Sequence, residues 1–152
     1  MKILSNREPI DVFLDASSIL NKAVEHTLGP EGSNTAVHTQ NFYSIINDGK
    51  SIIEPLSSLD AEIAPALETL KQASFETNRK AGDGTTSTIV LMNQLLKGVK
   101  DELSVATPVD IANKLLQTEE KLQELIRDHK ITIDNKLYEN IAKVSLRVIS
   151  LF

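Results

Sequence analysis

The chain contains no cysteine and no tryptophan, and only 4% of its residues are aromatic. Without cysteine there is neither a disulfide framework nor a thiolate metal site. No apolar run approaches the ~18–20 residues of a membrane span. The opening, Met1 to Phe13, returns to polar residues after Ile3 and Leu4, unlike a signal peptide. No cluster of Lys or Arg occurs and the formal charge is −5, which argues against nucleic acid or an anionic membrane surface as the main partner. His26, His38 and His129 lie far apart, without metal-ligand spacing, and read as ordinary surface or cap residues. There is no internal repeat and no low-complexity segment. These exclusions leave a soluble, cytoplasmic, helix-rich chain of 152 residues, one domain's worth and long enough to bury a core.

Hydrophobic spacing predicts the elements. Ile10 to Leu28 reads as an amphipathic helix, with Val12, Phe13, Ala16, Ile19, Leu20, Ala23 and Val24 at helical intervals and Pro9 at its first turn. Gly29-Pro30 stops it. Asn34 to His38 and Tyr43 to Ile46 are β-prone runs joined by a turn through Thr39 and Gln40. Asn47-Asp48-Gly49 could on local grounds be a second hairpin turn, since Asn-Gly and Asp-Gly pairs favour type I′ geometry. Ala61 to Ala81 is helical in pattern, with Ser57 and Asp60 spaced as a capping box and Pro65 near the first turn. A helix follows Ser87. Thr107-Pro108-Val109-Asp110 starts another that ends near Asp128. Residues 130–134 are a connector or short strand, and Asn135 to Ile149 is again helical.

The run Ala81-Gly82-Asp83-Gly84-Thr85-Thr86-Ser87-Thr88 carries the most chemistry. Two glycines allow a sharp turn and close approach to a ligand. Asp83 offers a hard oxygen for a divalent cation. The hydroxyls sit where a helix presents its unpaired N–H groups and positive dipole end, a setting suited to a phosphate chain with magnesium. The same residues could equally stop one helix and cap the next. This is not a P-loop, because no lysine follows the second glycine. A GGDGT loop of the lipid- or nucleotide-kinase kind follows a strand, whereas here a helical pattern precedes the turn and Ala81 replaces the first glycine.

Three motifs together say more than any one: Thr27 to Gly32 (TLGPEG), Asn47 to Gly49 (NDG) and Ala81 to Ser87 (AGDGTTS). Their order, their intervals and the helix ends they occupy resemble the first equatorial segment of a chaperonin, the GroEL-like ring-forming folding machines. The resemblance runs from about Ile10 to Val144. It implies a mainly α fold, an equatorial-domain-like helical bundle with a small β-hairpin. Residues 1–130 would be the first equatorial, ATP-binding segment, and 131–152 the start of the intermediate-domain segment.

The resemblance also implies residue roles. Thr27, Leu28, Gly29 and Pro30 would wrap the adenine-ribose side and the α-phosphate. Asp83 would hold magnesium. Gly84, Thr85, Thr86 and Ser87 would donate amide and hydroxyl hydrogen bonds to the β- and γ-phosphates. In the same turn, Asn47 and Gly49 would bind the nucleotide, and Asp48 would be the catalytic residue, near the γ-phosphate and orienting the attacking water. ATP and Mg2+ are the implied cofactors, with K+ a further candidate.

The departures are specific. Asn47 stands where bacterial-type members have lysine, although archaeal and eukaryotic relatives often read NDG. Glu31 replaces the usual lysine after TLGP, and Ser87 replaces threonine. An apical domain and a returning second equatorial segment do not fit in this length, and the family's principal catalytic aspartate belongs to that returning half. The expectation is a truncated or divergent, viral-type member: a half-site that contacts ATP and is poorly equipped to hydrolyse it alone. The implied partners are ATP, other chaperonin subunits as a homo-oligomer or a full-length ring, and unfolded clients reached through such a ring. A second expectation is a non-catalytic chain that associates with or modulates a full-length ring, self-associating through apolar helix faces.

Overall fold

Proline at a first helical position presets the backbone dihedral of the opening turn, and helix α1 begins at this residue, spanning Pro9–Val24. Its buried stripe, Val12, Ala16, Leu20 and Val24, recurs every four residues, the spacing that keeps side chains on one helical face. A single 3-10 turn, Glu25–Thr27, tightens its end. The computed structural model describes residues 7–29, 32–39, 42–58 and 60–149. The chain is mainly α-helical with one two-stranded sheet, and within it two compact units divide at Thr107 and Pro108.

In the first unit, β1 (Thr35–Thr39) and β2 (Phe42–Ile46) form an antiparallel hairpin in the register Thr35↔Ile46 to Thr39↔Phe42. Thr39, expected in the turn, is the last paired residue of β1, and Gln40 lies outside the described residues. Asn47-Asp48-Gly49 is not a second hairpin turn. It opens the short helix α2 (Gly49–Ile53), because the Asp48 carboxylate accepts the Ser51 amide and caps the helix in place of a strand ladder. Ile52 and Ile53 bury α2 in the core.

Helix α3 spans Ala64–Ala81 and α4 spans Thr85–Glu102. The expected start at Ala61 moves to Ala64, since Ala61 to Ile63 form a turn. The Ser57–Asp60 capping box does not form: Asp60 accepts the Glu62 amide at 2.8 Å within that turn, and the N-cap is Ile63 with no side-chain bond. Ala66, Leu67, Leu70 and Ile89 complete the core.

Helices α1 and α4 run antiparallel, and polar contacts join α1 and the turn after it to α4. Lys100 bonds Asp11, Asn93 Nδ2 donates to Ser17 Oγ at 2.9 Å, and Thr27 Oγ1 lies 3.1 Å from Thr86 Oγ1. Asn93 and Ser17 are both buried. Apolar contact is non-directional, so the Asn93–Ser17 bond fixes which turn of α4 faces which turn of α1.

The second unit, residues 108–149, holds α5 (Pro108–Asp128) and α6 (Asn135–Ile149). Residues 130–134 are a connector and contain no strand. Asp134 caps α6 by accepting the Leu137 amide at 2.7 Å. Leu115, Leu122, Leu125 and Ile126 on α5 are exposed.

Lys71 is the one buried cation among the described residues. Its Nζ donates to the Glu54 carbonyl (3.0 Å), the Leu56 carbonyl (2.9 Å) and Glu68 Oε1 (2.9 Å), so all three donors have partners. It ties α3 to the chain leaving α2. Lys71→Ala strands two inward carbonyls and removes packing. The expected outcome in urea unfolding is a loss of about 2–4 kcal/mol, against under ~0.5 kcal/mol for exposed Lys80→Ala.

Candidate functional site

Two glycines in the left-handed region make the turn between α3 and α4. Gly82 (φ +81°) ends α3 with its N–H on the Asn78 carbonyl, and Gly84 (φ +96°) is the N-cap residue of α4. A side chain at either position would be strained. The capping alternative is half realised. Gly82 stops α3, but no side chain caps α4. Asp83 Oδ1 accepts the Gly84 amide at 2.6 Å, one residue short of the helix. The opening amides of α4 therefore have no side-chain acceptor, which leaves the positive end of the helix dipole available to an anion.

The turn after α1 meets this helix end. Thr27 Oγ1 donates to the Val24 carbonyl at 2.8 Å and contacts Thr86 Oγ1. Leu28 follows, half exposed, and Gly29 turns the chain with φ +89°. Pro30 and Glu31 lie outside the described residues. The turn is braced by Ser33 N–H on the His26 carbonyl at 2.8 Å and by a contact of 2.6 Å between His26 Nε2 and Thr35 Oγ1, which joins it to the hairpin.

The start of α2 packs on the same spot. Gly49 is buried, and a Cβ there would fall inside the van der Waals shell of Thr86 Oγ1 and 3.3 Å from the Thr86 amide nitrogen. Only glycine lets these two helix starts approach so closely. The three sequence motifs thus converge on Thr86.

Of the residues singled out from sequence, Thr27, Gly49 and Thr86 are in direct contact, and Gly84, Thr85 and Ser87 flank Thr86 on α4. Thr85 is buried, while Asp83 and Ser87 are exposed. Asp48 is exposed and Asn47 half-buried, one and two residues before Gly49. Ser51 escaped the sequence reading. Its amide (2.9 Å) and hydroxyl (2.6 Å) both donate to Asp48 Oδ2, and the Asp-x-x-Ser spacing of an N-cap was the available signal. Arg79, in the last turn of α3 ahead of this junction, is engaged with Glu76 through Nε (3.2 Å) and Nη2 (2.9 Å). That hydrogen-bonded guanidinium holds the Glu76 carboxyl below its ordinary range. Among the described residues no cluster of three or more His, Cys, Asp or Glu forms a metal site. A cation here would rest on Asp83 and on oxygens brought by its ligand.

Gly49→Ala forces α2 away from Thr86 and should destabilise the protein by about 1–3 kcal/mol in chemical unfolding, the range for overpacking. Adding Thr86→Ala removes the hydroxyl that collides. The double variant should then recover a measurable part of that loss, because the Thr86 Cβ would sit 3.4 Å from the new methyl, an ordinary contact.

Known proteins resemble this chain in sequence and fold. The sequence profile of the TCP-1/cpn60 chaperonin family matches residues 20–149. The chain is 30% identical over 105 residues to a chaperonin GroEL of Neorickettsia risticii, covering 68% of this chain and 19% of that protein. The fold is similar to that of the chaperonin gp146 from the bacteriophage EL 2 (Pseudomonas aeruginosa), solved in the presence of ATP-BeFx, with a TM-score of 0.53 and 23% identity over 59% of this chain and 17% of that one. The chain thus spans about a fifth of the length of these relatives. No helix among the described residues is long and apolar enough to cross a membrane. With the family profile running from within α1 to the end of α6, this chain belongs to the TCP-1/cpn60 chaperonin family.

Proposed function

We propose that the chain is the first equatorial segment of an ATP-dependent chaperonin, binding Mg-ATP at the junction of the turns that carry Thr27, Asp48 and Asp83. The observation that carries this reading is the contact of Thr27 and Gly49 with Thr86 at an uncapped helix start. Residues 1–130 make up that segment, and 131–152 begin the intermediate-domain segment. Gly84 to Ser87 face the phosphates with their amides. Leu28, Gly29 and Pro30 border the adenosine side. Asp83 holds Mg2+ through the carboxylate oxygen that Gly84 does not occupy. Asp48 presents Oδ1, which takes no bond among the described residues, toward the γ-phosphate.

When bound, the metal neutralises phosphate charge and polarises the terminal phosphoryl group. One helix terminus contributes only about 0.3–1 kcal/mol, so most of the metal-dependent affinity runs through Asp83. The same proposal includes ring partners and unfolded clients. Tyr43 and Ile45 on the hairpin and Leu91 and Leu95 on α4 are exposed apolar side chains of the kind that subunit contacts cover.

Isothermal titration checks the reading. The folded chain should bind Mg-ATP, and chelating the metal should weaken binding at least tenfold. Asp83→Ala should abolish the difference between the metal-loaded and metal-free titrations. A folded chain that takes up no Mg-ATP would overturn the proposal.

A further inference from the structure

Thr27 Oγ1 lies 2.8 Å from the Val24 carbonyl oxygen and 3.1 Å from Thr86 Oγ1. A hydroxyl carries one proton and two lone pairs, and a carbonyl has no proton to give. The Thr27 proton therefore goes to Val24, and the bond between the two threonines is made with the proton of Thr86. The chain of donation runs one way, from Thr86 to Thr27 to the end of α1. Gly49 closes in on the same hydroxyl oxygen from another side.

We infer that Thr86 meets the triphosphate through its amide and not its hydroxyl, and that the Thr27–Thr86 pair is a positioning element locking the end of α1 onto the start of α4. The inference rests on the nucleotide reading above and corrects one part of the role the family resemblance implies, hydroxyl donation by Thr86. Neither hydroxyl touches a phosphate. Each acts by holding the amides of α4 in register with the turn that borders the adenosine.

A double-mutant cycle separates this from direct phosphate contact. Mg-ATP affinity is measured by titration for the wild type, Thr27→Val, Thr86→Val and the double variant, with thermal melts of each. Valine keeps the side-chain shape and removes only the hydroxyl. If the two hydroxyls share one bond, each single change weakens Mg-ATP about fivefold, as for one neutral hydrogen bond, and the double variant is no weaker than either. Thr27→Ser and Thr86→Ser keep the donation chain and should bind within about twofold of wild type; where a valine variant fails to fold, alanine variants at both positions complete the same cycle. Independent losses that multiply in the double variant, or a Thr86→Val loss far above that of Thr27→Val, overturn the inference and leave the nucleotide reading intact. Absence of binding by the wild type overturns both.

Discussion

The register of α1 against α4 governs the rest of the molecule. Thr27 and Thr86 are 59 residues apart in sequence, and closing a loop of that size costs about 3–4 kcal/mol of chain entropy. A neutral hydrogen bond returns only ~1 kcal/mol. The contact between the two threonines is therefore a consequence of packing and not its cause. What brings them together is the buried stripe Val12, Ala16, Leu20 and Val24 on α1, seated against Ile89 and the α2 and α3 residues of the same core. Burial on this scale stabilises by several times the cost of loop closure. Its freedom to slide is removed by Asn93 on Ser17, a directional bond in a place where a mismatched turn would take the acceptor from the buried Asn93 amide group.

This division of labour explains what the amino-acid sequence discloses. The stripe on α1 repeats every four residues and is bounded by Pro9 and Gly29, so periodicity and punctuation locate the helix without tertiary information. The turn from α3 to α4 is equally legible, since Gly82 and Gly84 mark φ values that other residues resist. Asn93, Ser17 and Lys71 are another matter. Each is a polar residue in a buried position, and each has a partner distant in sequence that no local pattern discloses. The same holds for Asn47-Asp48-Gly49, whose local preference fits a hairpin turn or a helix start equally well. The outcome is decided by Ile52 and Ile53, which need the core, and by Ser51, which gives Asp48 something to cap. The three motifs single out turns that lie far apart in the sequence. That they meet at a single hydroxyl is a property of the packed core.

Two carboxylates beside this junction share a design. Asp48 accepts two bonds from Ser51 on Oδ2, and Asp83 accepts the Gly84 amide on Oδ1. In each, one oxygen is anchored to nearby chain and the other takes no bond among the described residues. Both bonds have an adequate structural account, as a helix cap and a turn brace. Yet anchoring one oxygen also fixes the direction of the other, so under the proposed function little rotamer entropy would remain to be lost if that oxygen met a metal or a water. A carboxylate held in this way loses less on binding than the same group on a mobile side chain.

Lys71 extends that rigidity to the far end of α2. A helix of five residues is too short to be stable alone, so the direction of Asp48 depends on what holds both ends of it. At the start, Gly49 is pressed against Thr86. At the finish, the carbonyls of Glu54 and Leu56 are held by the Lys71 ammonium. The Asp48 carboxylate is thereby referenced to α3 through Lys71 and to α4 through Gly49. These are the two helices whose junction carries Asp83, so both carboxylates are positioned by one frame. Both are thus tied to the junction of α3 and α4, although the three turns that meet there come from distant parts of the chain.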